Sequence, residues 1–105
     1  DLRSNNWSAL FANLAPLREK YQNISVYASE GSFYEQLFPN ESIDMSFCAN
    51  SLHWLSDLPA NIPDFAYISP LEEERYNGQT IVSWNHQSEK DLKNFFRARY
   101  QELKS

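Results

Sequence analysis

Hydrophobic positions follow a helical period at both ends of the chain. Near the start, polar residues suited to capping occupy positions 4–6, and apolar residues then recur at Trp7, Leu10, Phe11 and Leu14. This spacing predicts an amphipathic helix. Because proline lacks a backbone N–H, Pro16 should break or restart that helix. Residues 17–21 can add one further turn.

A second amphipathic helix is predicted at the end of the chain. Ser88-x-x-Asp91 resembles a capping box that would start it. The residues behind this box repeat at helical spacing up to Leu103. This face is expected to be buried against a sheet, through the side chains of Leu92, Phe95, Phe96 and Leu103.

Between the helices the pattern favours strands and loops. Residues 24–28 (ISVYA) indicate a short buried strand, and residues 43–48 alternate between apolar and small or polar side chains, which is typical of a strand. Residues 31–39 and 50–56 are predicted to be loops or short turns. The pattern of residues 71–87 favours neither helix nor strand. This order of elements fits an open parallel α/β sheet, in which ligands lie beyond the carboxyl ends of the strands.

Composition narrows the class of protein. With 105 residues, 42% hydrophobic residues and a net charge of -5, the chain has room for one domain with a core. No cluster of basic residues suggests nucleic-acid binding, and no apolar run is long enough to span a membrane. Cys48 is the only cysteine, which fits a reducing, cytoplasmic compartment. Within a strand Cys48 should be buried and inert.

Residues 31–56, GSFYEQLFPNESIDMSFCANSLHWLS, contain the most informative motifs. The pattern GSFYxxLFPxxS, followed by a strand and SLHWLS, resembles the plant-type S-adenosylmethionine-dependent carboxyl methyltransferases and their bacterial relatives. That family includes the salicylate, jasmonate, benzoate and theobromine-forming enzymes. Asp1-Leu2 with Asn5 and the closing Phe96-x-x-Arg99-x-x-Glu102-Leu103 match it in the same order.

The resemblance implies the central part of a Rossmann-like class I methyltransferase sheet. Residues 1–105 are then expected to be a partial methyltransferase domain of a larger enzyme, since the family's glycine-rich cofactor loop precedes the position of Asp1. The implied cofactor is S-adenosyl-L-methionine. The segment alone is expected to bind it weakly or not at all and to be inactive.

The resemblance also implies the cofactor-binding residues. Asp1 would accept hydrogen bonds from the ribose hydroxyls, and Leu2 would pack against the adenine. Ser32 and Phe33 would hold the adenine from the following loop. Judged by residue type alone, Asp1 is ordinarily a solvated charge and Phe33 a core residue.

The implied substrate-binding residues are Asn50, His53 and Trp54. The indole N–H of Trp54 would donate to the acceptor carboxylate, and His53 would add a polar contact. Without the resemblance, a neighbouring His and Trp are more often a packing pair. Asn50 stands where the plant enzymes usually have tyrosine, which should make the pocket wider and more polar. The acids that the plant enzymes methylate therefore need not be the substrates of this protein.

The expected reaction is methyl transfer to a small-molecule carboxylic acid, and a homodimer is left open. A carboxylate is already ionised at neutral pH, so no general base is required. Two histidines and one cysteine without regular ligand spacing do not indicate a metal site. Two alternatives remain: a non-catalytic binding module with this fold, and a nitrogen methyltransferase of the same family.

Overall fold

The computed structural model describes residues 4–61 and 78–105. These residues contain two helices, α1 (Trp7–Lys20) and α2 (Gly78–Glu102). The described chain between them consists of turns and irregular backbone, with a single isolated parallel bridge between Ile43 and Leu103. Neither α1 nor α2, the helices of the described ranges, combines the length and the apolar character needed to cross a membrane.

Helix α1 begins as predicted and continues further than predicted. The side chain of Asn6 caps it by accepting a hydrogen bond from the Ala9 N–H at 3.0 Å. The expected break at Pro16 is wrong, because the helix runs through this residue to Lys20. Proline removes one intrahelical bond, and the carbonyl that loses its donor belongs to the exposed Ala12, where water can replace it.

Helix α2 is longer than the sequence pattern predicted. It starts at Gly78 instead of Ser88, so the ambiguous residues 78–87 are helical. The predicted capping box is therefore wrong: Asp91 lies in the middle of the helix and is only 1% exposed. Its carboxylate binds another part of the chain instead of the backbone at a helix start.

The buried face of α2 is a single stripe with residues three or four positions apart. The stripe comprises Trp84, Gln87, Asp91, Phe95, Ala98 and Glu102. Of the residues predicted to be buried, Phe95 is buried and Leu103 half-buried, whereas Leu92 and Phe96 are 44% and 59% exposed. The predicted face was wrong by about one residue, or roughly 100° around the helix. Two acidic residues occupy positions that an apolar pattern would assign to the core.

The two predicted strands are not seen as strands in the described part of the chain. Residues 24–28 and 43–48 have irregular backbone, and Met45 and Phe47 are exposed. Cys48 is also exposed, so its predicted burial is wrong. A strand is defined by a hydrogen-bonded neighbour, and within the two predicted strands of the described chain only Ile43 forms a bridge, to Leu103.

The end of α2 is held by residues 41–43. Glu41 N–H donates to the Gln101 carbonyl at 2.9 Å, and Ser42 and Ile43 N–H both donate to the Glu102 carbonyl. The last carbonyls of a helix have no partner within it, and these bonds supply one. Residues 41–43 therefore fix the irregular chain against the end of α2. The segments before and after them in sequence are positioned by this attachment.

Candidate functional site

The first loop of the site comprises residues 31–38 and depends on glycine at its start. Gly31 has φ +140°, and a Cβ added there would lie 2.7 Å from the Leu37 Cδ2 atom. The dihedral angle favours glycine, and a larger residue would also have to displace the Leu37 side chain. Ser32 then closes a tight turn, because its Oγ accepts from Tyr34 N–H at 3.2 Å and its carbonyl accepts from Glu35 N–H at 2.9 Å.

The second loop comprises residues 50–56. Asn50 has φ 54°, a left-handed conformation that asparagine tolerates better than most residues. A turn follows, in which Trp54 N–H donates to the Ser51 carbonyl at 3.0 Å. The backbone of residue 50 is therefore one physical reason for an asparagine at this position.

Tyr34 joins the two loops. Its side chain is buried, and its hydroxyl lies 3.2 Å from the Leu52 carbonyl and 2.8 Å from the Trp54 carbonyl. Burial raises the pKa of Tyr34, and the nearby Asp91 and Cys48 raise it further. The hydroxyl thus remains protonated at neutral pH and can donate to these carbonyls.

A cavity of about 480 Å³ lies between the two loops, and its surface is mainly apolar. Its lining comes from both loops: Gly31, Ser32, Phe33, Tyr34, Asn50, Ser51, Trp54, Leu55 and Ser56. Its volume is within the range of small-molecule sites in proteins. A ligand in this cavity would contact both loops at once.

The structure brings four of the predicted site residues to this cavity. Ser32 and Phe33 line it from the first loop, and Asn50 and Trp54 line it from the second. His53 is not among the lining residues. Asp1 and Leu2, the remaining two, lie outside the described residues.

The Trp54 side chain is well placed to meet a ligand. It is 62% exposed, and within the described ranges its indole N–H has no hydrogen-bond partner. The His53 ring lies beside it, with centroids 5.3 Å apart and planes tilted by 39°. His53 is exposed and supports the indole from the side, as expected of a packing pair.

Phe33 is held by other aromatic rings. Its centroid lies 4.4 Å from that of Tyr34 and 6.4 Å from that of Phe95, the second pair in an edge-to-face arrangement. These contacts fix the ring while leaving part of it at the cavity. A fixed aromatic surface of this kind can stack on a planar ligand.

An ion pair at the end of α2 holds the first loop. Glu102 is 2% exposed, and its carboxylate accepts from the N–H groups of Leu37 and Phe38. Arg99 donates to the same carboxylate at 2.7 and 2.9 Å, and to the carbonyls of Phe33 and Glu35 at 3.1 and 3.0 Å. These two side chains therefore bind the backbone of the first loop on both sides of its turn.

The environment of Glu102 determines its charge. Burial raises the pKa of this carboxyl, but the hydrogen bonds from Arg99, Leu37 and Phe38, together with the Arg99 charge, outweigh burial and lower it. Glu102 is thus ionised at neutral pH, as its four hydrogen-bond donors require.

The second loop is held by residues in the middle of α2. The Asp91 carboxylate accepts from Ser56 N–H at 2.8 Å and from the Ser56 hydroxyl at 2.6 Å. Gln87 donates to the Ser56 Oγ at 2.9 Å and to Asp91 at 3.0 Å. Beyond the loop, the Trp84 indole donates to the Ala60 carbonyl at 3.0 Å.

These supporting residues were not predicted as part of the site. Arg99 and Glu102 belonged to a recognised motif, but no role followed from it. The available signal was the helical spacing itself, because Asp91 and Glu102 lie on the same stripe as Phe95 and Ala98. An acidic residue on a buried stripe requires a donor from elsewhere. No group of three or more His, Cys, Asp or Glu residues in the described ranges could hold a metal ion.

Comparison with known proteins identifies relatives of this chain. The family model described as SAM dependent carboxyl methyltransferase matches residues 1–105. Loganic acid O-methyltransferase of Catharanthus roseus is 32% identical over 104 residues, covering 95% of this chain and 27% of the relative. Indole-3-acetate O-methyltransferase 1 of Arabidopsis thaliana is 34% identical over 119 residues, covering 99% of this chain and 31% of the relative.

A third relative and a solved structure are also similar to this chain. Probable 7-methylxanthine methyltransferase 4 of Theobroma cacao is 41% identical over 61 residues, covering 56% of this chain and 17% of the relative. The solved structure, a loganic acid methyltransferase with SAH, superposes with a TM-score of 0.73 at 32% identity, covering 99% of this chain and 29% of that one. The chain thus has the fold of part of a methyltransferase and spans less than a third of these relatives.

Proposed function

The chain belongs to the family of SAM-dependent carboxyl methyltransferases, and from that premise we propose that the whole protein transfers a methyl group from S-adenosyl-L-methionine to the carboxylate of a small organic acid. The observation that carries the proposal is the cavity between the two loops. It gathers residues suited to a planar base and residues suited to a carboxylate around one apolar space. The relatives named for loganic acid and indole-3-acetate support a small acid as acceptor.

The first loop fits the adenine end of S-adenosyl-L-methionine. Gly31 lines the cavity with its backbone, Phe33 offers an aromatic surface, and Ser32 offers a hydroxyl. Asp1 and Leu2 would contact the ribose and the adenine. When bound, the cofactor would supply a methyl group whose bond to the sulfonium sulfur breaks as the acceptor oxygen takes it, with S-adenosylhomocysteine as the leaving group.

The second loop would orient the acceptor. The Trp54 indole N–H is the donor expected to hold one carboxylate oxygen, while the other remains free to react. Because the acid is ionised at neutral pH, no residue of this chain has to remove a proton. The chain contributes by positioning the oxygen and by excluding water from an apolar site in which opposite charges are neutralised.

Asn50 would set the polarity of the acceptor side. It lines the cavity, and its amide can donate to or accept from a polar substituent of the acid. His53, outside the cavity lining, would act by supporting the Trp54 ring. An acceptor with a polar group beyond its carboxylate fits this arrangement better than a purely aromatic acid.

The proposal also includes the finer architecture. We expect residues 24–28 and 43–48 to become strands of a Rossmann-like α/β sheet in the whole protein, because residues 43–48 alternate as strands do and the exposed apolar side chains of both segments suit a covered sheet. A cytoplasmic location is proposed on the single cysteine. Alone, residues 1–105 should bind the cofactor weakly.

Methyl transfer to nitrogen is the second candidate, favoured by the relatives named as probable 7-methylxanthine methyltransferases. The two are separated by incubating the full-length protein with methyl-labelled S-adenosyl-L-methionine, a panel of carboxylic acids and a panel of xanthines. Labelled methyl esters support the proposed function. Labelled xanthines would favour the alternative, and binding of the cofactor without transfer to any acceptor would favour a non-catalytic module.

A further inference from the structure

The 50–56 loop has little internal support for the position of Trp54. Its turn contains one backbone hydrogen bond, from Trp54 N–H to the Ser51 carbonyl, and the indole itself is largely exposed. A loop of this kind holds a geometry only if neighbouring elements impose it. The position of Trp54 therefore depends on the groups that bind the loop from outside.

Those groups act on both sides of Trp54. The Tyr34 hydroxyl binds the carbonyls of Leu52 and Trp54 on one side. On the other side, the Asp91 carboxylate binds both the N–H and the hydroxyl of Ser56. Ser56 is two residues beyond Trp54, so a shift of Ser56 is transmitted directly to the indole.

Asp91 is an unusual residue to find at this position of a helix. It is 1% exposed, and within the described residues its partners are neutral donors: the Ser56 N–H, the Ser56 hydroxyl and the Gln87 amide. A buried carboxylate is costly without such donors, and an apolar side chain could fill the stripe without that cost. What the carboxylate supplies is a two-point attachment of the loop to a rigid helix.

The stripe of α2 is also divided by function. Arg99 and Glu102, toward the end of the helix, bind the 31–38 loop. Gln87 and Asp91, about three turns earlier, bind the 50–56 loop. A change at Asp91 can therefore displace the second loop while the first keeps its own attachment.

From this arrangement we infer that Asp91, together with Gln87, is a positioning residue for the methyl acceptor, acting through Ser56 on the Trp54 indole. The inference rests on the proposed function, because it assigns the second loop to the acceptor. It differs from a general stabilising role, because it predicts a loss confined to the acceptor side.

The test uses the full-length enzyme and the Asp91→Ala variant. Alanine removes both accepting oxygens, so the Ser56 N–H loses its acceptor and neither orientation of the Gln87 amide can replace the attachment of Ser56 to position 91. We expect kcat/KM for the acid to fall roughly ten- to a hundredfold, as for a small misplacement of a bound reactant. The dissociation constant for S-adenosylhomocysteine should stay within about twofold, which a general loss of structure would not allow.

A double variant provides the rescue. Asp91→Asn combined with Gln87→Glu exchanges the carboxylate and the amide within the same network. The amide at position 91 then accepts from Ser56 N–H and donates to the carboxylate at position 87, which also accepts from the Ser56 hydroxyl. We expect this double variant to recover most of the lost kcat/KM.

Glu89→Ala is the matched control, since it removes a carboxylate in the same way on an exposed turn of α2, where Glu89 pairs with Lys93. Ser56→Ala, a milder change, replaces Asp91→Ala if that variant does not fold, with the same acceptor-specific loss expected. Unchanged acid kinetics, a parallel loss of cofactor affinity, or failure of the rescue would each overturn the inference. A wild-type enzyme that methylates no acid would instead refute the proposed function, and the positioning role with it.

Discussion

Replacing Glu102 by glutamine keeps the shape of the side chain and removes its charge. In the structure, one carboxylate oxygen of Glu102 accepts from Leu37 N–H, Phe38 N–H and Arg99 Nη2, and the other accepts from Arg99 Nε. Glutamine can supply only one accepting oxygen, so its amide would face an arginine donor. The guanidinium, 11% exposed, would lose its counter-charge.

The expected cost follows from this burial. Removing one partner of a buried ion pair typically costs about 3–5 kcal/mol, because the other charge remains desolvated. We therefore expect Glu102→Gln to lower the free energy of unfolding by roughly 3–5 kcal/mol. Urea denaturation at pH 7, followed by circular dichroism, measures the difference. Glu89→Gln, which breaks the exposed pair with Lys93, is the matched control and should leave the curve unchanged.

The pH dependence supplies a second measurement. The pKa of Glu102 is lowered below its ordinary value of 4.5 in the folded protein, with Arg99 and the loop N–H groups outweighing burial. Its contribution to stability is therefore complete above that value and is lost as the pH falls through the lower, folded pKa. The difference between wild type and Glu102→Gln should thus persist at pH 5 to 7 and shrink only in acid. A variant as stable as wild type at pH 7, or a difference that does not change with acid, would refute the reasoning.

Four further outcomes are expected. Gly31→Ala should lower the melting temperature, because residue 31 has φ +140° and the new Cβ would lie 2.7 Å from the Leu37 side chain. Equal melting temperatures for the variant and the wild type would contradict this. Phe95→Ala should lower the free energy of unfolding by roughly 3–5 kcal/mol in denaturant titration, whereas Phe96→Ala, at an exposed position, should lower it by less than about 1 kcal/mol. Equal losses would show that the buried face of α2 is misassigned. In the full-length enzyme, Asp1→Ala should weaken cofactor affinity about ten- to a hundredfold in calorimetric titration, with the KM for the acid as control. Trp54→Phe should lower kcat/KM for the acid about tenfold or more while cofactor affinity is kept, whereas a lower melting temperature with intact kinetics would make Trp54 a core residue.

The family could be predicted from sequence because its motifs are local. The GSFYxxLFPxxS and SLHWLS patterns lie within 26 residues, positions 31–56, and the match to the family model over residues 1–105 confirms that prediction. The start of α1 and the helical character of residues 92–102 were likewise predictable, because capping and helical periodicity depend on neighbours in the chain. Four of the predicted site residues that line the cavity were named from the motifs alone: Ser32, Phe33, Asn50 and Trp54.

Features that depend on distant partners were predicted poorly. The periodicity of α2 placed Phe96 in the core, whereas the buried stripe contains Asp91 and Glu102. Both acidic residues are buried because they meet donors on loops 35 and more positions away in sequence. No pattern within the helix states that such donors exist.

The sequence by itself thus determined the family, the start of α1 and the helical character of residues 92–102. Only the tertiary structure decided that Ser32, Phe33, Asn50 and Trp54 meet at one cavity, that His53 stays outside its lining, and that α2 fixes each loop through a different pair of polar side chains. The physical reason is the separation in sequence over which each interaction acts. Helix propensity, capping and glycine dihedral angles arise between near neighbours, whereas a buried carboxylate is stabilised only by donors that folding brings to it.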